Sequence, residues 1–166
     1  NRNGKAVMEK EKKENRRSAA EELTRYLAPR MRTVAEARKH LEEKVYDESE
    51  IRETLQRFLD LKYLDDSDYV RAYCEYAFGK RRGSTRIRSE LRNKGIESET
   101  IQNGIDDYMY ENRVDECALA RLVAEKTLAG AERPLEQKSV ARVARKLEQM
   151  GYGSSVIIRI LEEIKE

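Results

Sequence analysis

An echo at a spacing of fifty residues constrains this chain more than any single motif does. Arg38, Leu41, Lys44, Tyr46, Ile51, Leu55 and Phe58 are answered fifty positions later by Arg88, Leu91, Lys94, Ile96, Ile101, Ile105 and Tyr108. Every pair keeps its charge or its apolar character. The match also runs upstream, from Tyr26 to Tyr76 and from Arg32 to Arg82. A third copy follows 56 residues after the second, with Leu91, Gly95, Ile96, Ile101 and Ile105 answered by Leu147, Gly151, Tyr152, Ile157 and Leu161. The extra residues of the third copy fall in 128–134, where Gly130 and Pro134 predict a loop.

Each copy reads as three helices, and the middle one is clearest. Val70, Tyr73, Cys74 and Ala77 keep the three-and-four spacing of one buried stripe, which predicts a helix over about 66–78. Asp65 or Asp66 can cap its first turn, because a carboxylate there accepts the orphan amides. A turn at Arg82-Gly83-Ser84 precedes a second helix that carries Ile87 and Leu91 inward. Lys94-Gly95 closes it with a cation against the helix dipole and a left-handed glycine. The third helix starts near Glu97 and presents Ile101, Ile105 and Tyr108. In the first copy Thr33-Val34-Ala35-Glu36 is a capping box, and in the third Lys146 to Gly151 ends a helix. The expected fold is all-α: three tandem three-helix repeats over 14–62, 63–112 and 113–166, about nine helices, after a charged, frayed tail at 1–13. A unit of this size buries little surface alone, so stacked repeats forming an elongated, curved array with a long accessible face are expected.

Composition agrees with thin helical layers. Charged residues make up 40% and hydrophobic residues 39% of the 166, and with only 8 Gly and 2 Pro the chain is poor in hairpin turns. No apolar run approaches the roughly 18 residues of a membrane span, no signal peptide precedes the charged N-terminus, and a cytoplasmic protein is expected. The chain begins on Asn1 rather than Met, so its natural start is expected to be missing. Cys74 and Cys117 lie in apolar helical patterns without metal or redox spacing, which predicts buried free thiols.

A catalytic set is not found. His40 is the one histidine, expected at an exposed edge. No second His or Cys stands where zinc needs one, no Gly-rich phosphate loop occurs, and no base accompanies a nucleophile. Asp65-Asp66 and Asp106-Asp107 are better read as a helix cap and a solvated face than as metal ligands. A binding protein without metal or cofactor is expected.

The net charge of +2 hides a segregated distribution. Residues 79–94 hold seven basic side chains against one acid, whereas 95–116 hold seven acids against one base. The basic block is Lys80, Arg81, Arg82, Arg86, Arg88, Arg92 and Lys94, on the turn before the second helix of the middle repeat and along that helix. Arg88 and Arg92, four apart, face the same way, and arginine forks suit phosphates or carboxylates. So dense a block predicts a surface for phosphate or an acidic partner. The competing account is neutralisation by Glu97, Glu99, Asp106 and Asp107 on the next helix. Tyr69, Tyr73 and Tyr76 have helical spacing and are expected in the core rather than against bases.

These residues carry a resemblance. Tyr63-Leu64-Asp65-Asp66, Tyr69-Val70, Arg82-Gly83, Arg86-Ile87, Glu90-Leu91 and Lys94-Gly95-Ile96 closely resemble the central signature of RecX proteins, and the stretch from Arg32-Thr33 to Leu41 resembles that family's first repeat. The likeness runs from about Leu23 to Ile164. Ala37 departs from the larger apolar residue common in the family, and Val45 from the Gly expected before Tyr46. The resemblance implies a regulator that lies in the groove of the RecA–single-stranded DNA filament and mostly inhibits its recombinase, ATPase and coprotease activities, the last in the SOS response; a monomer is expected. It places the basic block against filament or DNA, with double-stranded DNA left open as a further partner. A stand-alone helical-repeat DNA-binding module is the alternative reading of the same residues.

Overall fold

The structure, a computed structural model, describes residues 2–14 and 16–166. Among the described residues every regular element is a helix: α1 Arg2–Glu14, α2 Ala19–Leu27, α3 Val34–Glu43, α4 Glu48–Asp60, α5 Asp66–Gly79, α6 Ser84–Asn93, α7 Ser98–Glu111, α8 Glu116–Thr127, α9 Gln137–Met150 and α10 Ser154–Lys165. The nine expected helices are α2 to α10. The stretch expected as a charged tail carries α1, whose side chains at 2–11 are all exposed; residue 1 lies outside the described residues. The chain divides into one compact unit over Asn1–Asp65 and a second over Asp66–Glu166.

In the first unit α2, α3 and α4 enclose Ala19, Leu23, Ala37, Leu41, Ile51, Leu55, Phe58 and Leu64. The capping box opens α3: Glu36 N–H donates to Thr33 Oγ1 and Thr33 N–H to Glu36 Oε1, both at 3.1 Å. His40 is not the exposed residue expected. Its ring lies parallel to Tyr26 at 3.9 Å between centroids, and its Nε2 meets Glu22 Oε1 at 2.9 Å. That hydrogen bond, against opposing desolvation, holds the Glu22 carboxyl below its ordinary range. The Arg32 guanidinium lies 4.2 Å from the Tyr26 ring.

The second unit holds two apolar clusters. Val70, Cys74, Ala77, Ile87, Leu91, Ile96, Ile101 and Ile105 form one between α5, α6 and α7. Ala120, Val123, Ala124, Leu128, Val143, Leu147, Tyr152 and Ile160 form the other between α8, α9 and α10. In α10 the register departs from expectation, since Ile160 is the fully buried residue and Ile157 and Leu161 are only partly covered. Cys74 is buried, and desolvation raises its thiol to about 11; Cys117 is half-buried, and both are free. No helix among the described residues is long and apolar enough to cross a membrane.

The second helices of the three repeats end alike and differ in one residue. Gly95 and Gly151 take positive φ after α6 and α9, whereas after α3 the same place is held by Val45 at φ 61°. Its amide still donates to Glu42 O and the Tyr46 amide to Leu41 O, so the chain reversal is complete. A β-branched residue in this region is strained by roughly 1–2 kcal/mol, and Val45, being exposed, recovers little by packing. Val45→Gly should therefore raise the unfolding free energy by about 1 kcal/mol, read from the urea midpoint at unchanged slope. An unchanged or lowered midpoint would contradict the strain.

Candidate basic interface

The basic block begins where α5 stops. Arg81 takes φ 60°, its amide donates to Phe78 O at 2.9 Å, and the Arg82 amide reaches back to Ala77 O at 3.0 Å. This Schellman-type closure turns the chain within three residues and leaves Lys80 and Arg81 exposed. Gly83 then caps α6 without a side chain to offer, so the first amides of α6 need partners from elsewhere.

The third repeat supplies those partners. Gly83 N–H donates to Met150 O at 2.8 Å, and the Thr85 and Arg86 amides to Gly151 O at 3.0 and 3.4 Å. Ser84 N–H donates to Glu116 Oε1 at 2.6 Å and its hydroxyl to Glu116 Oε2 at 3.1 Å. The C-terminal carbonyls of α9 and a carboxylate from the start of α8 thus meet the positive end of α6. The Tyr152 hydroxyl completes the joint by donating to Arg81 O, and burial pushes its acidity well down. The approach is close. A Cβ on Gly83 would lie 2.6 Å from the Tyr152 amide nitrogen, and one on Gly151 2.7 Å from the Arg86 amide nitrogen.

The seven expected residues separate into two groups. Arg86 Nε donates to Glu90, its Nη1 reaches Gln149 O at 3.5 Å, and Arg82 Nη1 lies 3.7 Å from the same Glu90 carboxylate. The acid that draws these two in is therefore on α6 itself, not on α7. Burial raises the Glu90 carboxyl above its ordinary range while Lys94 pulls it back. Arg88 Nε donates to Gln102 Oε1 at 3.2 Å, and Gln102 Nε2 to Asp106 at 2.8 Å, so α7 touches the block through an amide. The Lys94 ammonium sits 5.9 Å from the Tyr69 ring. Lys80, Arg81 and Arg92 are the exposed members.

Two features lie beyond what the sequence pattern indicates. Tyr76 is half exposed rather than core, with Lys80 Nζ at 5.4 Å and the Arg82 guanidinium at 5.1 Å from its ring. Lys126 and Lys146 share an open cleft with Lys80 and Arg81. Lys146 belongs to a stripe on α9 with Lys138, Arg142 and Arg145. The 4-and-7 spacing of that stripe is visible in the sequence, but averaging charge over the whole third repeat conceals it.

The joint makes a prediction. Gly83→Ala should lower the unfolding free energy of the chain by about 1–3 kcal/mol through forced separation of the two backbones, measured by urea denaturation. Stability equal to that of the parent would deny the close approach of α6 and α9.

Family models for the first and second RecX three-helix domains match residues 24–58 and 65–105. The chain is 30% identical over 135 residues to the regulatory protein RecX of Vibrio parahaemolyticus, covering 81% of this chain and 84% of that protein. It is 29% identical over 146 residues to the regulatory protein RecX of Bacillus cytotoxicus, covering 85% of this chain and 52% of the relative. The chain thus spans about half the length of the curated Bacillus relatives it matches. Among solved structures, RecX from Lactobacillus salivarius superposes with a TM-score of 0.77 at 20% identity, over 88% of this chain and 94% of that one. A second crystal structure, of a regulatory protein RecX, gives 0.73 at 26% identity over 87% and 71%.

Proposed function

The chain belongs to the RecX family, and from that premise we propose that it regulates a RecA-type recombinase in the cytoplasm, binding the recombinase filament on single-stranded DNA as a monomer and mostly inhibiting its strand-exchange, ATPase and coprotease activities. The regulatory part of this reading rests on the relatives, which are named regulatory proteins. The observation that carries the partner is the basic block of Lys80, Arg81, Arg82, Arg86, Arg88, Arg92 and Lys94, held on one turn and one helix by a packed core. An extended polyanion, or the acidic grooves of a filament, meets such a surface with complementary charge. The working unit in this reading is the set of three repeats at 14–62, 63–112 and 113–166, with the middle repeat making the charged contact.

A second reading, a module that binds nucleic acid without any recombinase, is favoured by the exposure of Lys80, Arg81 and Arg92. The two part on whether the recombinase strengthens binding. Reversing charge at Arg88 and Arg92 to Glu should weaken inhibition of single-stranded-DNA-dependent ATP hydrolysis by the cognate recombinase about tenfold or more. Circular dichroism should remain that of the parent, because neither side chain enters the core. Full inhibition by the doubly reversed chain would move the contact elsewhere, and no inhibition or filament binding by the parent at any stoichiometry would defeat the filament reading.

A further inference from the structure

The first two repeats hold the same tyrosine in different company. In the first, Tyr26 has Arg32 over its ring and the His40 imidazole stacked on it at 3.9 Å with 5° between planes. In the second, fifty residues on, Tyr76 keeps its arginine, Arg82, at 5.1 Å. The histidine's counterpart is Glu90, whose carboxylate turns to Arg82 and Arg86 and offers no ring. Tyr76 is 50% exposed. The first repeat demonstrates that a flat heteroaromatic ring fits against a tyrosine so placed; in the second no histidine stacks there, and the Tyr73 ring stands tilted beside Tyr76 at 6.1 Å between centroids.

Next to it is a cleft of one charge. Lys80, whose ammonium lies 5.4 Å from the Tyr76 ring, lines it together with Arg81, Lys126 and Lys146, and no carboxylate does. Part of this charge answers the helix ends nearby, since Lys126 lies in the last turn of α8 and Lys80 and Arg81 follow α5. A helix C-terminus carries only about half a negative charge, and the carbonyls ending α9 are already met by amides of α6. Four cations against the ends of α5 and α8 leave a surplus of about three positive charges. Val123 and Met150 form an apolar wall, and low-dielectric walls concentrate such a field.

We propose that this cleft and Tyr76 together form a site for a single-stranded nucleic acid: a backbone phosphate sits among Lys80, Arg81, Lys126 and Lys146, and the adjoining base stacks on Tyr76. The site deepens the reading of the basic block as a nucleic-acid surface, but it extends it into the third repeat, away from the outward stripe of α6. A base paired in a duplex cannot present its face to the ring, so the site selects unpaired strands.

The chain contains no tryptophan, which gives the test a clean probe. Tyr76→Trp in the full chain, titrated with oligo-dT and no recombinase, should show quenched indole fluorescence, and a duplex of the same length should quench far less; oligo-U in parallel tells DNA from RNA as the strand. Tyr76→Leu should cost about tenfold in affinity for the single strand, the usual worth of one stacked base. Lys126→Gln with Lys146→Gln should flatten the dependence of log affinity on log salt by about 0.7, the amount for the one phosphate of a single strand that the cleft neutralises. Both lysines are exposed, so this variant tests the cleft without disturbing a core. An unquenched indole, equal quenching by duplex, or an unchanged salt slope overturns the site. Because no recombinase is present, the filament reading can fail in the ATPase assay while this site stands, and the reverse.

Discussion

The charged surface of the second unit depends on one joint, the meeting of the end of α9 with the start of α6. A helix begins with four amides that its own backbone cannot satisfy. Here those of Gly83, Ser84, Thr85 and Arg86 all find partners: Met150 O, Glu116 and Gly151 O twice. The α-helical ladder then starts with Ile87 N–H on Gly83 O. Negative end meets positive end, each terminus solving the other's deficit, and Glu116 adds a full charge where the dipole favours one. A side-chain cap at position 83 could satisfy at most part of this, and its Cβ would prevent the rest. The joint also fixes what surrounds it. It holds the Lys80–Arg82 turn against Tyr152 and brings Lys146 and Lys126 to the same cleft.

Repetition of a sequence pattern does not repeat its chemistry. The tyrosine and arginine at the end of the first helix persist from Tyr26 and Arg32 to Tyr76 and Arg82, and so does their cation–π contact. Where the first repeat has His40 stacked on its tyrosine the second has Glu90, and Tyr76 is a half-exposed ring with Tyr73, Lys80 and Arg82 around it. In the first repeat the imidazole ties Tyr26 to Glu22. In the second the carboxylate instead organises two arginines along α6. The apolar positions change little between the two, since burial depends on size and spacing alone, whereas the polar positions are free to diverge once the core is secured.

The helices are legible in the sequence because their signals are local. Apolar residues three and four apart, the Thr33–Glu36 box and the left-handed glycines at 95 and 151 each act within one or two turns. Tyr76 is not legible, because its helical spacing resembles that of the core stripe while its half-exposed place beside Lys80 and Arg82 appears only once the turn after α5 is formed. His40 misleads in the opposite direction: its partners Tyr26 and Glu22 come from α2. The cleft leaves no readable pattern at all. Lys80 and Lys146 are brought together by a joint whose donors and acceptors are backbone groups, which every residue possesses and no pattern marks. The glycines at 83 and 151 are its only trace in the sequence, and both have an adequate local explanation as turn and cap residues.

Counting cations therefore overstates what the block offers and misplaces where it offers it. Of the seven residues in the run 80–94, Arg82 and Arg86 are committed to Glu90 and Arg88 to Gln102. A partner's phosphate or carboxylate would have to compete with geometry already in place, and a shared guanidinium yields less to a newcomer than an uncommitted one. The cations available at least cost are the exposed Lys80, Arg81 and Arg92, joined by Lys126 and Lys146 from the next repeat. The density of positive charge in one stretch of sequence serves partly to build α6 and its turn. The binding strength of the surface is set by the remainder, gathered from two repeats by the joint between α9 and α6.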